Sequence, residues 1–194
     1  EFSFTDEEEI FETIEKLLKR HGLSMFDAYV SPIHGGSVIG YVTHGGKRKK
    51  SARLLSLLEE ERKTACNEFD SYRTFAKNVE RLREENVKYL ADAKKAGKQI
   101  YGMGAPVKGN TLLNYFRIGT ETLDCLVEKN AMRKGLYSPG MHIPIVLEDE
   151  IKVQPDIYYV LAWNFKKEIV EKLSFARQWG ARFVTYIPQL DVIG

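Results

Sequence analysis

The chain has 194 residues, 43% hydrophobic and 29% charged, with a formal net charge of +2. That length and composition accommodate one large domain, or one domain with an appended subdomain, and exclude a disordered chain. So small a net charge implies neither nucleic acid nor an anionic membrane as a partner, and no apolar run approaches the ~20 residues that span a bilayer.

The N-terminus is acidic (Asp6, Glu7, Glu8, Glu9) and lacks the basic-then-apolar order of a signal peptide. It starts at Glu1 without a methionine and enters structure within five residues, so a fragment of a longer protein is expected. Thr5-Asp6-Glu7-Glu8 is a capping box, and apolar residues recur at Ile10, Ile14, Leu17 and Leu18 before His21-Gly22. This predicts one amphipathic helix. Residues 26–30 and 37–42 are β-like and flank Pro32-Ile33-His34-Gly35-Gly36, which predicts a hairpin or two neighbouring strands.

The stretch 45–50 is a basic loop, its run Lys47, Arg48, Lys49, Lys50 reading as a solvated segment with modest phosphate affinity. Residues 53–96 contain no glycine or proline and predict one long helix, or two with a break near 64–67. Phe69, Tyr72, Phe75, Ala76, Val79 and Leu82 form an apolar stripe that needs a partner surface, in the following domain or in domains outside the chain. From residue 98 the pattern alternates: strand 99–103, helix 107–116, strand 123–127, a Gly/Pro-rich loop, strand 158–162, helix 165–179, strand 182–186. Strands alternating with helices predict a parallel sheet covered on both faces.

The first strand-loop-helix reads Tyr101-Gly102-Met103-Gly104-Ala105-Pro106-Val107-Lys108-Gly109-Asn110-Thr111. Glycine permits close backbone approach, and the helix start behind it offers amides and a positive dipole end to phosphate. Lys108 adds charge and Pro106 suits the first turn. The spacing departs from G-x-G-x-x-G, so a turn that merely packs helix on sheet remains the alternative. Glu128 ends the next strand, where an acid can hold ribose hydroxyls or simply be solvated. In Ser138-Pro139-Gly140-Met141-His142-Ile143-Pro144, His142 is either a ligand contact or a local backbone cap. Trp163-Asn164 follows a buried strand, where Trp163 is core or, with Asn164, a platform for a base or sugar. Ligands of open parallel sheets bind outside the C-terminal strand ends, and one crevice there is expected to collect all four segments, the His142 loop included. His34 and Ser37 are presented by the hairpin turn or serve only its geometry. Cys66 and Cys125 are too few and too distant for a disulfide framework or a zinc site; they read as buried apolar residues in a reducing cytoplasm.

Taken in order, His34-Gly35-Gly36-Ser37, the Tyr101–Asn110 string, Pro139-Gly140-Met141-His142-Ile143-Pro144, and Pro155-Asp156 leading to Leu161-Ala162-Trp163-Asn164 with Glu168-Ile169 cover nearly the whole chain. The chain thereby resembles the C-terminal domain of SAM-dependent C-methyltransferases acting on nucleotide-linked keto-sugars in deoxysugar and antibiotic biosynthesis. The resemblance implies a parent with a small zinc module, a central SAM-binding domain and this domain, with the sugar nucleotide between the last two. A base removes the proton beside the ketone, and the enolate attacks the methyl group of SAM. The base cluster of Tyr, Glu and His lies at or before Glu1, and Phe2 stands where a Glu-His pair is expected. Two other departures are Glu128 in place of Asp and Ile39 in place of Arg.

The expectation is thus an α/β chain: a Rossmann-like parallel sheet flanked by helices, preceded by a helix, a β-hairpin and a long helix. Residues 1–52 would face the methyltransferase domain, 53–97 form the connecting helix or helix pair, and 98–194 form the Rossmann-like subdomain. Its expected ligand is the nucleotide sugar, held by His34, Ser37, Gly104, Pro106, Lys108, Asn110, Glu128, His142, Trp163 and Asn164. No catalytic residue, metal, nucleic acid or membrane is expected here, and SAM only in the full-length parent. The rival readings are an autonomous NAD- or CoA-binding module and a non-binding scaffold.

Overall fold

The computed structural model describes residues 10–32, 36–64 and 68–194. It divides into two compact units, one ending at Asn78 and one running Val79–Gly194. The Thr5 capping box, Glu1, Phe2, His34 and Cys66 lie outside the described residues.

In the first unit, α1 (Ile10–Arg20) leads into β1 (Leu23–Ser31), which pairs antiparallel with β2 (Ser37–His44). The hairpin is therefore as expected, with each strand longer than its apolar run. α2 (Ala52–Thr64) begins where Ser51 Oγ accepts from the Leu54 amide at 3.1 Å and donates to Asp27 Oδ1 at 2.6 Å. One serine so caps the helix and ties it to β1. Phe11 and Ile14 of α1, Met25 and Ala28 of β1, and Leu54 and Leu58 of α2 make the core of this unit.

α3 (Phe69–Lys95) follows α2, while residues 65–67, where a break was expected, lie outside the described residues. The apolar stripe is covered only toward its end. Phe69, Tyr72 and Phe75 are exposed, whereas Leu82, Asn86 and Leu90, spaced four apart on one face, are buried.

The second unit is a six-stranded sheet of β3 (Ile100–Met103), β4 (Cys125–Glu128), β5 (Ile145–Leu147), β6 (Ile157–Val160), β7 (Arg182–Thr185) and β8 (Asp191–Ile193). Their order is β5-β4-β3-β6-β7-β8, all parallel except β8, which runs antiparallel to β7. β5 and β8 have three residues each, too short to show a period in sequence. All four residues of β6 are buried, as a strand covered on both faces requires. Tyr159 turns to the α3 face, where it reaches Asn86. Tyr158 turns to the other face and joins Met103, Val127, Phe183, Leu173 and Ala176.

α4 (Val107–Phe116) connects β3 to β4, and α5 (Lys166–Lys172) leads toward β7. The single helix expected over 165–179 is instead α5 with 3-10 turns on each side, Trp163–Phe165 and Ser174–Trp179. Tighter winding places Leu173 and Ala176, three apart, on the same buried side. From β3 the chain moves outward through β4 and β5, then returns to β6 on the other side of β3. The adjoining carboxyl ends of β3 and β6 are therefore the topological switch point.

Candidate functional site

At the switch point β3 ends in Gly104, whose φ of 86° lies in the left-handed region that favours glycine. Its amide donates to Val127 O at 2.8 Å, and a Cβ there would lie 3.0 Å from Ala162 Cβ. A side chain at 104 would thus press on the segment that follows β6. Pro106 is the N-cap of α4, extended at φ −73° and ψ 156°, and its side chain caps nothing. The amides of the first turn have no acceptor within the helix; the regular ladder starts with Asn110 N donating to Pro106 O at 3.0 Å. Gly109 is buried, and a Cβ on it would meet Leu161 Cβ at 2.9 Å. Close packing and an open helix start coexist in this loop.

Lys108, exposed on that first turn, places Nζ 5.6 Å from the centroid of the Trp163 ring. Trp163 is half-buried in the turn after β6, and Asn164 beside it is exposed. The indole is thus partly buried, with the Lys108 ammonium over its face. Asn110, two residues further along α4, has a buried Oδ1 without a hydrogen-bond partner in the protein.

Glu128 ends β4 with both carboxylate oxygens engaged. Oε1 accepts from the amides of Lys129 at 2.8 Å and Asn130 at 3.2 Å. Oε2 accepts from the Ala105 amide at 3.3 Å and from Arg133 Nη1 at 2.9 Å. Burial pushes this carboxyl up, but the Asn130 and Lys129 amides, the Arg133 charge and the Ala105 amide outweigh it, and the net lies below the ordinary value. Four protein donors thus occupy the acceptor positions of this carboxylate. Arg133, absent from the residues expected from sequence, also donates to Ala105 O. Nothing local signals it; it arrives only because the chain folds back on Glu128.

The structure places the His142 loop at the other end of the sheet. The parallel pairing of Leu126 with Ile145 puts the start of β5 at the amino end of the sheet, so the loop before it lies beyond that end. Pro139 O accepts from Asn114 Nδ2 at 3.0 Å, near the C-terminus of α4, which is the same end. The loop is therefore at the opposite end of the sheet from Gly104, Glu128 and Trp163, so three of the four segments share one end and the fourth does not. His142 has φ 53° and its amide donates to Ser138 O at 2.9 Å, while Ser138 Oγ accepts from Ile143 N at 3.0 Å. The motif is a self-capped turn.

Ser37 is the first residue of β2, in the other unit. Cys125 is buried, and desolvation followed by the nearby Asp124 charge pushes its thiol to about 12, which makes it an inert apolar residue. Among the described residues no group of three or more His, Cys, Asp or Glu could hold a metal, and no helix is long and apolar enough to cross a membrane. Two open grooves of about 820 and 550 Å³ run along α3. Both mix Lys and Arg with Asp and Glu, and neither touches the glycine loop.

Residues 32–188 match the family described as the C-methyltransferase C-terminal domain. The chain is also 30% identical over 179 residues to the C-methyltransferase NovU of Streptomyces niveus, an alignment covering 91% of this chain and 43% of that protein. The chain thus spans less than half the length of the curated relative it matches.

Proposed function

Because the chain belongs to the C-methyltransferase C-terminal domain family, we propose that it binds and positions a nucleotide-linked keto-sugar for methylation by a SAM-binding domain of a longer protein. The observation that carries this reading is Lys108 poised over the Trp163 ring beside the open start of α4, at the switch point of the sheet. A diphosphate at that helix start meets amides, the positive dipole end and the Lys108 ammonium together. Gly104 and Pro106 shape the approach, and the unpartnered Asn110 Oδ1 is an acceptor for a hydroxyl or a bound water. Trp163 offers a stacking face and Asn164 a hydrogen-bonding amide for the base or sugar. Glu128 contributes by holding the loop rather than by touching ribose.

In this reading SAM supplies the methyl group from the other domain, and the chain's own residues bind, orient and shield the acceptor sugar. Residues 1–52, with His34 and Ser37, face that catalytic domain; 53–97 connect and 98–194 hold the nucleotide. The setting is a reducing cytoplasm, where a free thiol at Cys125 is stable.

Calorimetric titration of the chain with dTDP, SAM and NAD tests this function. Binding of dTDP without SAM or NAD is the expected result. Binding of NAD alone would replace the reading with a dinucleotide module, and silence from all three would favour a scaffold. The specific observation on the scaffold's side is the exposed edge of α3, where Phe69 is 75% and Phe75 52% accessible.

A further inference from the structure

Ala105, the residue between the left-handed Gly104 and Pro106, is gripped on both sides. Its amide donates to Glu128 Oε2 at 3.3 Å, and its carbonyl accepts from Arg133 Nη1, which lies 2.9 Å from the same carboxylate oxygen. The grip spans 23 residues to Glu128 and 28 to Arg133.

On the β6 side, Met103 O before the turn accepts the amides of Leu161 at 3.0 Å and Ala162 at 3.2 Å. Pro106 has no amide to donate, and its own side chain makes no cap to α4. Apart from Ala105, the link from the turn to β4 is the Gly104 amide on Val127 O. The segment that delivers Arg133 is built to do so. Glu128 Oε1 accepts the amides of Lys129 and Asn130, Asn130 Oδ1 accepts the Met132 amide at 3.0 Å, and Arg133 N donates to Asn130 O at 2.9 Å. Yet residues 129–132 are all exposed and bury no apolar side chain. Packing does not explain why the loop folds back; the hydrogen bonds to the glycine turn do.

We propose that Arg133 is a positioning residue for the nucleotide diphosphate. It does not touch the ligand but, with Glu128, holds the Ala105 peptide so that the first-turn amides of α4 and Lys108 are set before the phosphates arrive. This rests on the nucleotide-binding reading of the crevice. The guanidinium suits the task because one planar group reaches a carbonyl and a carboxylate at once, and an ammonium does so with poorer geometry.

The test compares wild type, Arg133→Ala and Arg133→Lys by three measurements: exchange of the Ala105 amide, dTDP affinity by calorimetry, and Tm. Arg133→Ala is expected to speed Ala105 exchange and weaken dTDP binding, each roughly tenfold or more, while Tm moves by less than about 3 °C. Arg133→Lys recovers part of both losses. Weakened binding with unchanged exchange would make Arg133 a direct contact and overturn the positioning role. Unchanged binding overturns it as well. A larger fall in Tm with faster exchange across the β-sheet would make Arg133 a general stability residue. A wild-type chain that binds no dTDP overturns the nucleotide reading and the role of Arg133 with it. The Ala105 exchange rates then still report whether the brace exists, which separates the two failures.

Discussion

Tyr159 OH donates to Asn86 Oδ1 at 3.1 Å, joining the middle of α3 to a central strand across 73 residues of sequence. Both side chains are 0% exposed, and Asn86 Nδ2 returns a bond of 2.7 Å to Leu82 O. Burial, with a smaller effect from Tyr186, pushes the Tyr159 phenol well above its ordinary value, so it stays a neutral donor. Asn86→Ala removes the acceptor of a buried hydroxyl and is expected to cost about 1–3 kcal/mol in urea unfolding. The double change Asn86→Leu with Tyr159→Phe removes both partners and should cost less than the sum of the single changes.

Lys108 is exposed, so Lys108→Ala should leave the far-ultraviolet spectrum and Tm unchanged while weakening dTDP binding roughly tenfold or more. The Lys108 ammonium over Trp163 also predicts that dTDP alters indole emission, a change lost in Trp163→Phe but retained in Trp179→Phe. Emission that responds equally in all three proteins would place the ligand elsewhere.

His142 lies at the amino end of the sheet, away from the switch point. His142→Ala is therefore expected to bind dTDP as wild type does in the same calorimetric titration. Its φ of 53° further predicts that His142→Gly is neutral to stabilising, by up to about 1 kcal/mol in urea unfolding.

Gly109→Ala sets helix propensity against packing. Alanine gains up to about 1 kcal/mol as a helix former, but its Cβ would lie 2.9 Å from Leu161 Cβ and 3.2 Å from Pro106 Cγ. Both neighbours are fixed close to backbone, so overpacking wins. A net loss of about 1–2 kcal/mol is expected in thermal unfolding.

The folded Glu128 carboxyl lies below its ordinary value of 4.5, so its stabilising contribution is complete above that pH. The contribution is lost as pH falls from 4.5 through the lower folded value. Glu128→Gln is expected to flatten the pH dependence of urea stability in that acid window and to leave its shape between pH 6 and 8 unaltered.

Much of the architecture is legible in local patterns. The helix over 107–116 appears with those bounds because Pro106 sets its start and because its core-facing Leu113 and Phe116 are spaced at helical intervals. The buried strand expected over 158–162 is likewise legible as a matter of neighbouring residues, although β6 runs Ile157–Val160. Glycine loop, Lys108, Glu128 and Trp163 are singled out by their place after strands, and the parallel order β5-β4-β3-β6-β7 brings them to one edge.

What sequence alone determined is therefore the kind of elements and the family, through apolar periods and motif strings that each lie within about a dozen residues. The tertiary structure alone decided which end of the sheet each loop occupies and whose hydrogen bonds Glu128 accepts. The pairing of Leu126 with Ile145 carries His142 away from the crevice, and the fold-back of 129–133 brings Arg133 into it. Periodicity reports which face of an element is buried, because that depends on residues a turn or two apart. Register and loop course depend on pairings tens of residues apart, which no local pattern records.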